Sequence, residues 1–416
     1  MSPPAGPLRA SFWRSPLRGP WLTALLGVLL LPLLLVVAAT GLLSHAAYNP
    51  QLGHNAVIPG AFQPLVFDWP TRPSWLYALN QSLHVTVGIV AVPLLLAKLW
   101  SVIPRLWTWP PLRSPAHALE RLGLLILVGS AAFQFATGIV NAQLYYPFHF
   151  GFVRAHYYGG WVFIAALVLH VALKLPTIAR AYRAHGALRP LRADLAATRP
   201  ERYEPGGLAP PTPATPTMSR RGLLGLVGGG MGALLVVTAG QSIGGPLRHV
   251  ALLAPRGRVF GTGPNDFQVN ITASFAGIDP TLTGVSWRLQ LRGARVAELS
   301  REQLLALPQH THDLPIACVE GWTTTQRWTG VRLADLAALA GSPRAGEVLV
   351  QSLEERGTFR QVTLSRDQLN DPRSLLALRV NGADLSLDHG FPARIIVPAA
   401  PGVHCTKWVA SMELRA

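Results

Sequence analysis

The sequence predicts a multi-domain protein: an all-α bundle of four transmembrane helices, a fifth transmembrane helix, and an α+β domain. Three observations carry this. Five stretches are apolar over the roughly 20 residues that a helix needs to cross a bilayer. Positive charge alternates between the segments that join them. Beyond residue 246 the apolar runs shorten to strand length and alternate with short helical stretches. Composition agrees, since half of the 416 residues are hydrophobic and only 13% are charged, a balance that suits a membrane protein with a water-soluble part.

The spans are 21–44, 75–100, 120–142, 155–178 and 222–240. The apolar core of the first is too long for a cleaved signal peptide. The tail, 1–20, carries Arg9, Arg14 and Arg18, and Lys98, Arg105, Arg113 and Arg121 surround the second connection. The fourth connection and its flanks run from Lys174 to Arg221 and are rich in arginine. The other two connections have only Arg72 and Arg154. The positive-inside rule then places the N-terminus in the cytoplasm and the domain at 246–416 outside the cytoplasmic membrane. The formal net charge of +16 reflects these arginines. With no basic face or reading motif, nucleic acid is not an expected partner.

Residues 181–218 include "PGGLAPPTPATPT" and read as a flexible cytoplasmic linker, because proline removes backbone donors and fixes φ. The fifth span lies in 219–245 and opens with "SRRGLL". This resembles a twin-arginine export signal, and the resemblance implies an outer domain exported already folded around a cofactor. The plain reading is two arginines that obey the positive-inside rule.

Ionisable residues inside spans mark functional sites. His84 lies in the outer half of span two, His156 opens span four, and His170 follows 14 residues later. That interval is close to four helical turns, so His156 and His170 share one face about 21 Å apart. Neutral imidazoles at matched depth on two helices can hold a haem iron from both sides. A lone histidine would more often bond a neighbouring helix.

Spans one to four, residues 21–180, resemble the bacterial di-haem cytochrome b subunits of the formate dehydrogenase and hydrogenase group. The resemblance implies an outer haem b on His84 and His156, an inner haem on His170, and exchange of electrons with the quinone pool. The family's histidine near the start of span one is missing from "RGPWLTALLGVLLL". One haem is therefore expected, and His170 stands as the ligand of a second.

The outer domain has strand-like runs "WRLQLRG", "VLVQSL", "FRQVTL", "ARIIVPA" and "KWVASMEL", with helical "SREQLLALP" and "RLADLAALAG". A mostly antiparallel sheet is expected. Its two cysteines, Cys318 and Cys405, make no zinc spacing and do not require a disulfide. A buried cysteine is usually a small hydrophobe, but its thiolate is also a soft metal ligand. One thiolate suffices only for a metal that arrives on its own sulfur-bearing cofactor.

"ACVEGWTTTQRWTGVRLADLAALAG" resembles the cofactor-ligand segment of the sulfite oxidase superfamily, the molybdopterin-binding oxidoreductases. Two further blocks agree in order, "LLALRVNGADLSLDHGFPARIIVP" and "PGVHCTKWVASMEL". The resemblance implies that Cys318 binds molybdenum as the catalytic ligand. It implies that His389, Arg394, Cys405, Thr406 and Lys407 hold the pterin or its phosphate, with Asn270 in "NDFQVNITA" at the family's first pterin loop. Arginine and lysine suit a phosphate, and Gly390 and Gly402 allow close backbone approach. Glu320, Thr323, Gln326 and Arg327 follow the metal cysteine and read as an exposed polar turn, the alternative being a lining of the substrate entrance; Trp322 and Trp328 read as packing residues, and Glu354 and Arg356 as surface charges. The family's active-site tyrosine has no counterpart, since Leu378 takes its place.

The expected function is a membrane-bound molybdenum oxidoreductase. It moves an oxygen atom on a small extracytoplasmic substrate, with S-oxide or N-oxide reduction favoured, and exchanges electrons with quinone through haem b. The alternatives are oxidation of a sulfite-type substrate with quinone as acceptor, and a metal-free binding module on a membrane cytochrome. A periplasmic electron-transfer protein is a further candidate partner.

Overall fold

A computed structural model describes residues 6, 12–58, 60, 64–106, 114–205 and 207–416. The chain divides into two compact units. One comprises the described residues of Met1–Ala38, Thr86–Asn141 and Tyr145–Val236, and the other those of Ala39–Val85, Ala142–Leu144 and Val237–Ala416.

Six long helices supply the apolar part: α1 (Pro20–Ala46), α2 (Leu76–Val90), α3 (Val92–Leu106), α4 (Pro115–Ala142), α5 (Phe152–His185) and α6 (Arg220–Ile243). Among the described residues α1, α4, α5 and α6 are each long and apolar enough to cross a membrane. The pair α2 and α3 meets the same test together but bends by 42°. The continuous span expected over 75–100 is thus broken. Pro93 supplies the reason, because its ring clashes with the carbonyl one turn earlier and it has no N–H to give.

In the first unit Trp21, Leu22, Leu25 and Leu26 of α1 pack with Leu94 and Leu95, Ala131, Phe163 and Val227. Many other large side chains, including Leu122, Leu125, Val168, Leu173 and Leu226, are exposed. A helix apolar on every side is compatible with insertion in lipid.

The segment read as a free linker is tied down instead. Glu201 accepts a 3.1 Å bond from the Trp21 N–H, and the Trp21 indole donates to Gly186 O at 2.9 Å. Arg220, buried at the head of α6, donates to Arg199 O. Proline removes regular structure from this stretch but leaves carbonyls and side chains free to bond.

The second unit holds ten strands: β1 (Arg288–Arg292), β2 (Val296–Ser300), β3 (His310–Ala317), β4 (Thr323–Arg332), β5 (Glu347–Ser352), β6 (Gln361–Ser365), β7 (Leu375–Val380), β8 (Ala383–Asp384), β9 (Arg394–Ile396) and β10 (Val409–Arg415). They form two five-stranded sheets. The first runs β2-β1-β10-β5-β6, with β1 and β10 parallel and the other neighbours antiparallel. The second runs β3-β4-β7-β8, with β9 also on β7, and is antiparallel throughout.

One core joins the sheets, with Leu289, Leu291, Val348, Val350 and Met412 from the first and Val331, Leu376, Leu378 and Ile395 from the second. On the other face of the second sheet, Leu314, Ile316, Trp328, Leu375 and Ala377 build another core. Burial on both faces explains why β7 opens with the apolar run "LLAL" before the exposed Arg379. Four short helices, α7 (Ala273–Ala276), α8 (Arg301–Ala306), α9 (Leu333–Leu339) and α10 (Arg366–Asn370), complete the unit. Ser300 with Gln303, and Ser365 with Gln368, form capping boxes that start α8 and α10.

Candidate active site

Cys318 stands one residue past β3, where the chain turns back into β4. Its N–H bonds Trp322 O at 3.0 Å, and Gly321 N–H returns to Cys318 O at 3.0 Å. Ala317 forms a bridge to Pro401. At the next position, Gly402, a Cβ would stand 2.8 Å from Ala317 O, so glycine alone lets these two turns meet. Cys318 and Cys405 are both buried free thiols in the core with Phe267, Trp322 and Trp328. Burial, with Glu320 nearby, pushes the Cys318 thiol up to about 12.

The residues after Cys318 differ from the exposed turn read in the sequence. Positions 323–332 are β4, paired with β3 and β7. Glu320 is buried, held by Arg256 through bonds of 3.0 and 2.8 Å and by the Trp322 indole at 2.7 Å. Arg327 is exposed and paired with Asp313. Trp322 and Trp328 are core residues. Glu354 is half-buried, and burial raises its carboxyl above the usual range.

The second block enters the same region. Ser386 caps the turn Leu387–His389, and Gly390 follows at φ 106°, where a side chain would be strained. The buried His389 ring stacks on Phe267 at 3.7 Å, and its Nε2 lies 2.9 Å from Asn265 O. Arg394 is 4% exposed, donates to His389 O at 3.3 Å and lies over the Trp328 ring. Lys407, equally buried, donates to Ile271 O and Asp388 O and lies over the Trp408 ring.

Among the described residues neither cation forms an ion pair. Burial alone moves Arg394 down to about 10, and burial with Arg394 nearby moves Lys407 down to about 6. A desolvated cation that forms no ion pair is costly until an anion joins it.

Among the described residues other buried polar atoms have no partner: Arg394 Nε, Thr406 Oγ1, Gln268 Nε2 and both ring nitrogens of His404. Such groups normally bond to something. A buried thiol, two unpaired cations and unused donors suit an anionic, polar, sulfur-liganded metal cofactor. Gln268 and His404 escaped the sequence reading, although both stand inside quoted blocks; only their burial distinguishes them. Asn270 is half-buried in the same loop, but Asn265 makes the recorded bonds to the second block, to Ser386 N–H and Asp384 O.

Residues 276–416 match the family model described as "Oxidoreductase molybdopterin binding domain". This stretch forms a molybdopterin-binding oxidoreductase domain. It is sulfite oxidase-like. The chain is 30% identical over 165 residues to the mitochondrial sulfite oxidase of Rattus norvegicus, covering 33% of this chain and 30% of that one. It is 32% identical over 130 residues to the uncharacterized oxidoreductase YuiH of Bacillus subtilis, covering 30% of this chain and 64% of that one. An NADH nitrate reductase of Volvox carteri is 29% identical over 170 residues, covering 33% and 20%. The chain thus spans about a third of the length of the sulfite oxidases it matches.

Residues from elsewhere in the chain join the molybdopterin domain in the same compact unit. Gln81 Nε2 donates to Val319 O at 2.7 Å, Ser242 Oγ to Gly321 O at 2.5 Å, and Arg248 to Thr323 O at 3.1 Å. Trp69 donates to Ala399 O at 2.7 Å. Ala317 packs in a cluster with Ala47, Trp69, Tyr77 and Ala78. Leu378 is fully buried in the core between the sheets.

Of the span histidines, His84 on α2 has Nδ1 3.3 Å from the Thr40 hydroxyl. His156 on α5 has Nδ1 2.9 Å from the Thr137 hydroxyl, whose own proton goes to Phe133 O at 2.7 Å. Thr137 therefore accepts, His156 carries its proton on Nδ1, and Nε2 carries the lone pair. His170 is half-buried on α5.

Proposed function

We propose that the chain is a membrane-bound molybdenum oxidoreductase. It reduces an S-oxide or N-oxide outside the cytoplasmic membrane with electrons from quinol, relayed by haem b. The sequence reading makes His84 and His156 the haem ligands and His170 the ligand of a second haem. Each turnover converts the oxide, two protons and two electrons into the reduced substrate and water, while quinol becomes quinone and supplies both electrons.

The observation that carries this reading is the buried thiol of Cys318 in one core with Cys405 and Trp328, with the buried Arg394 over that Trp328 ring and Lys407 in the same block, neither cation in an ion pair among the described residues. Molybdenum–molybdopterin, when bound, supplies two-electron oxygen-atom exchange. Cys318 offers the thiolate that holds the metal. Arg394 and Lys407 neutralise the anionic part of the cofactor, with His389, Cys405, Thr406 and Asn270 in the same cradle. The Trp322, Trp328 and Phe267 side chains exclude water, which strengthens each of these charge contacts.

The test is metal and haem analysis of the full chain purified in detergent. About one molybdenum and one iron per chain are expected, with a b-type reduced-minus-oxidised spectrum. Dimethyl sulfoxide or trimethylamine N-oxide should oxidise the reduced protein. Sulfite reducing it instead would reverse the assigned direction. Haem without molybdenum, from cells able to make the cofactor, would reduce the outer domain to a binding module.

A further inference from the structure

Tyr48 lies just past α1, half-buried, and belongs to none of the family blocks. Its ring meets the His404 ring edge-on at 5.6 Å, and it is electrostatically coupled to Cys318. Its phenol lies near that of Tyr77. Tyr77, fully buried, lies 3.4 Å from Ser44 Oγ, and Ser44 donates to Gln81 Oε1 at 2.7 Å.

Proton accounting gives this chain a direction. Gln81 must present its NH2 to Val319 O, because a carbonyl only accepts. Its Oε1 therefore receives the Ser44 proton. With that proton used, Ser44 accepts from Tyr77, whose oxygen keeps its lone pairs for a donor on the Tyr48 side. The far end of the chain is anchored on Val319, the residue after Cys318. The near end sets the Tyr48 phenol against an imidazole whose two nitrogens have no partner among the described residues. A small molecule with O–H donors satisfies both groups, and water fits best, since it bonds two to four polar partners at once.

We propose that Tyr48 is a water-binding residue of the Cys318 site: its phenol oxygen, with His404, holds the water released when an oxide is reduced. The proposal rests on Cys318 being the metal thiolate. It adds a residue that the molybdopterin domain does not carry within 276–416, and ties that domain to the segment that precedes it.

The experiment compares Tyr48→Phe, Tyr77→Phe and the unaltered full chain, each purified in detergent and assayed for molybdenum. Dimethyl sulfoxide and trimethylamine N-oxide serve as acceptors and reduced viologen as donor. Exchangeable-proton couplings are read from the EPR spectrum of the half-reduced protein in H2O and D2O. Tyr48→Phe should keep its molybdenum and its KM, lose about tenfold in kcat, and change the exchangeable coupling. Tyr77→Phe retains the Tyr48 hydroxyl and should lose less than about threefold. A molybdenum-loaded Tyr48→Phe protein with unaltered kcat and coupling would overturn the proposal. So would loss of molybdenum from both variants alone, which marks a purely structural role. Absence of molybdenum from the unaltered chain would instead remove the metal reading beneath it. If neither oxide turns over, the coupling decides by itself.

Discussion

Asn55 and Thr363, 308 positions apart, exchange two hydrogen bonds: the Asn55 amide donates to Thr363 O at 2.7 Å and accepts from Thr363 N at 2.8 Å. Thr363 is in β6, the edge of the first sheet. A side chain thus occupies ladder positions that an edge strand would otherwise leave open to a foreign strand. Asn55→Ala should cost about 2 kcal/mol, since both bonds are buried. Faster hydrogen exchange at Thr363 would report it, and unchanged exchange would show that the contact contributes nothing.

Arg256 and Glu320 set the shape of the Cys318 turn. Glu320→Ala leaves Arg256 without its carboxylate and the Trp322 indole without an acceptor. The expected loss is about 3 kcal/mol, the low end for a broken buried pair because Arg256 is partly exposed. Molybdenum occupancy should fall with it. Thermal unfolding and metal analysis on one preparation check both.

The buried cations make stability depend on pH. Lys407 has a folded pKa of about 6, against about 10.4 when unfolded. Between these values the unfolded chain binds more protons, so stability rises with pH. His389, at about 4, and His404, at about 3, act in the same direction below the ordinary histidine value of about 6.5. Cofactor-free protein should therefore gain stability from pH 4 towards pH 9. Lys407→Met should flatten the upper part of that slope, and a slope retained in the variant would refute the assignment to Lys407.

Cofactor-free Cys318 should be inert. With its thiol pushed up to about 12 and its side chain buried, little thiolate exists at pH 8. Iodoacetamide should label it only after unfolding, and rapid labelling of the folded protein would contradict the burial. In the loaded protein Cys318→Ser should abolish molybdenum and leave the haem spectrum intact.

His84→Ala should lower haem content while molybdenum stays. Unaltered haem would remove His84 from the ligand set.

Much was legible in the chain because the signals are local. The apolar helices follow from uninterrupted hydrophobic runs, and the three blocks around Cys318, His389 and Lys407 are contiguous strings whose order survives in the fold. Strand β4 was misread because "TTTQRWTGVR" is polar enough to pass for a turn. Its pairing with β3 and β7, not its own composition, makes it a strand. The bend near Pro93 was available from proline's missing N–H but hidden by the hydropathy of the run.

What only the tertiary structure decided depends on contacts between distant residues. That Glu320 is buried, and that among the described residues His404 and Gln268 have unspent nitrogens and Arg394 and Lys407 form no ion pair, are facts of desolvation, which no string of letters records. The same is true of Tyr48, Gln81 and Asn55. Each is an ordinary polar residue until folding places it against a segment some 240 to 360 positions away and closes the site around Cys318. Sequence alone determined which chemistry the chain carries, because that chemistry needs particular atoms. Packing determined what surrounds those atoms, because burial and hydrogen-bond accounting are properties of the whole unit.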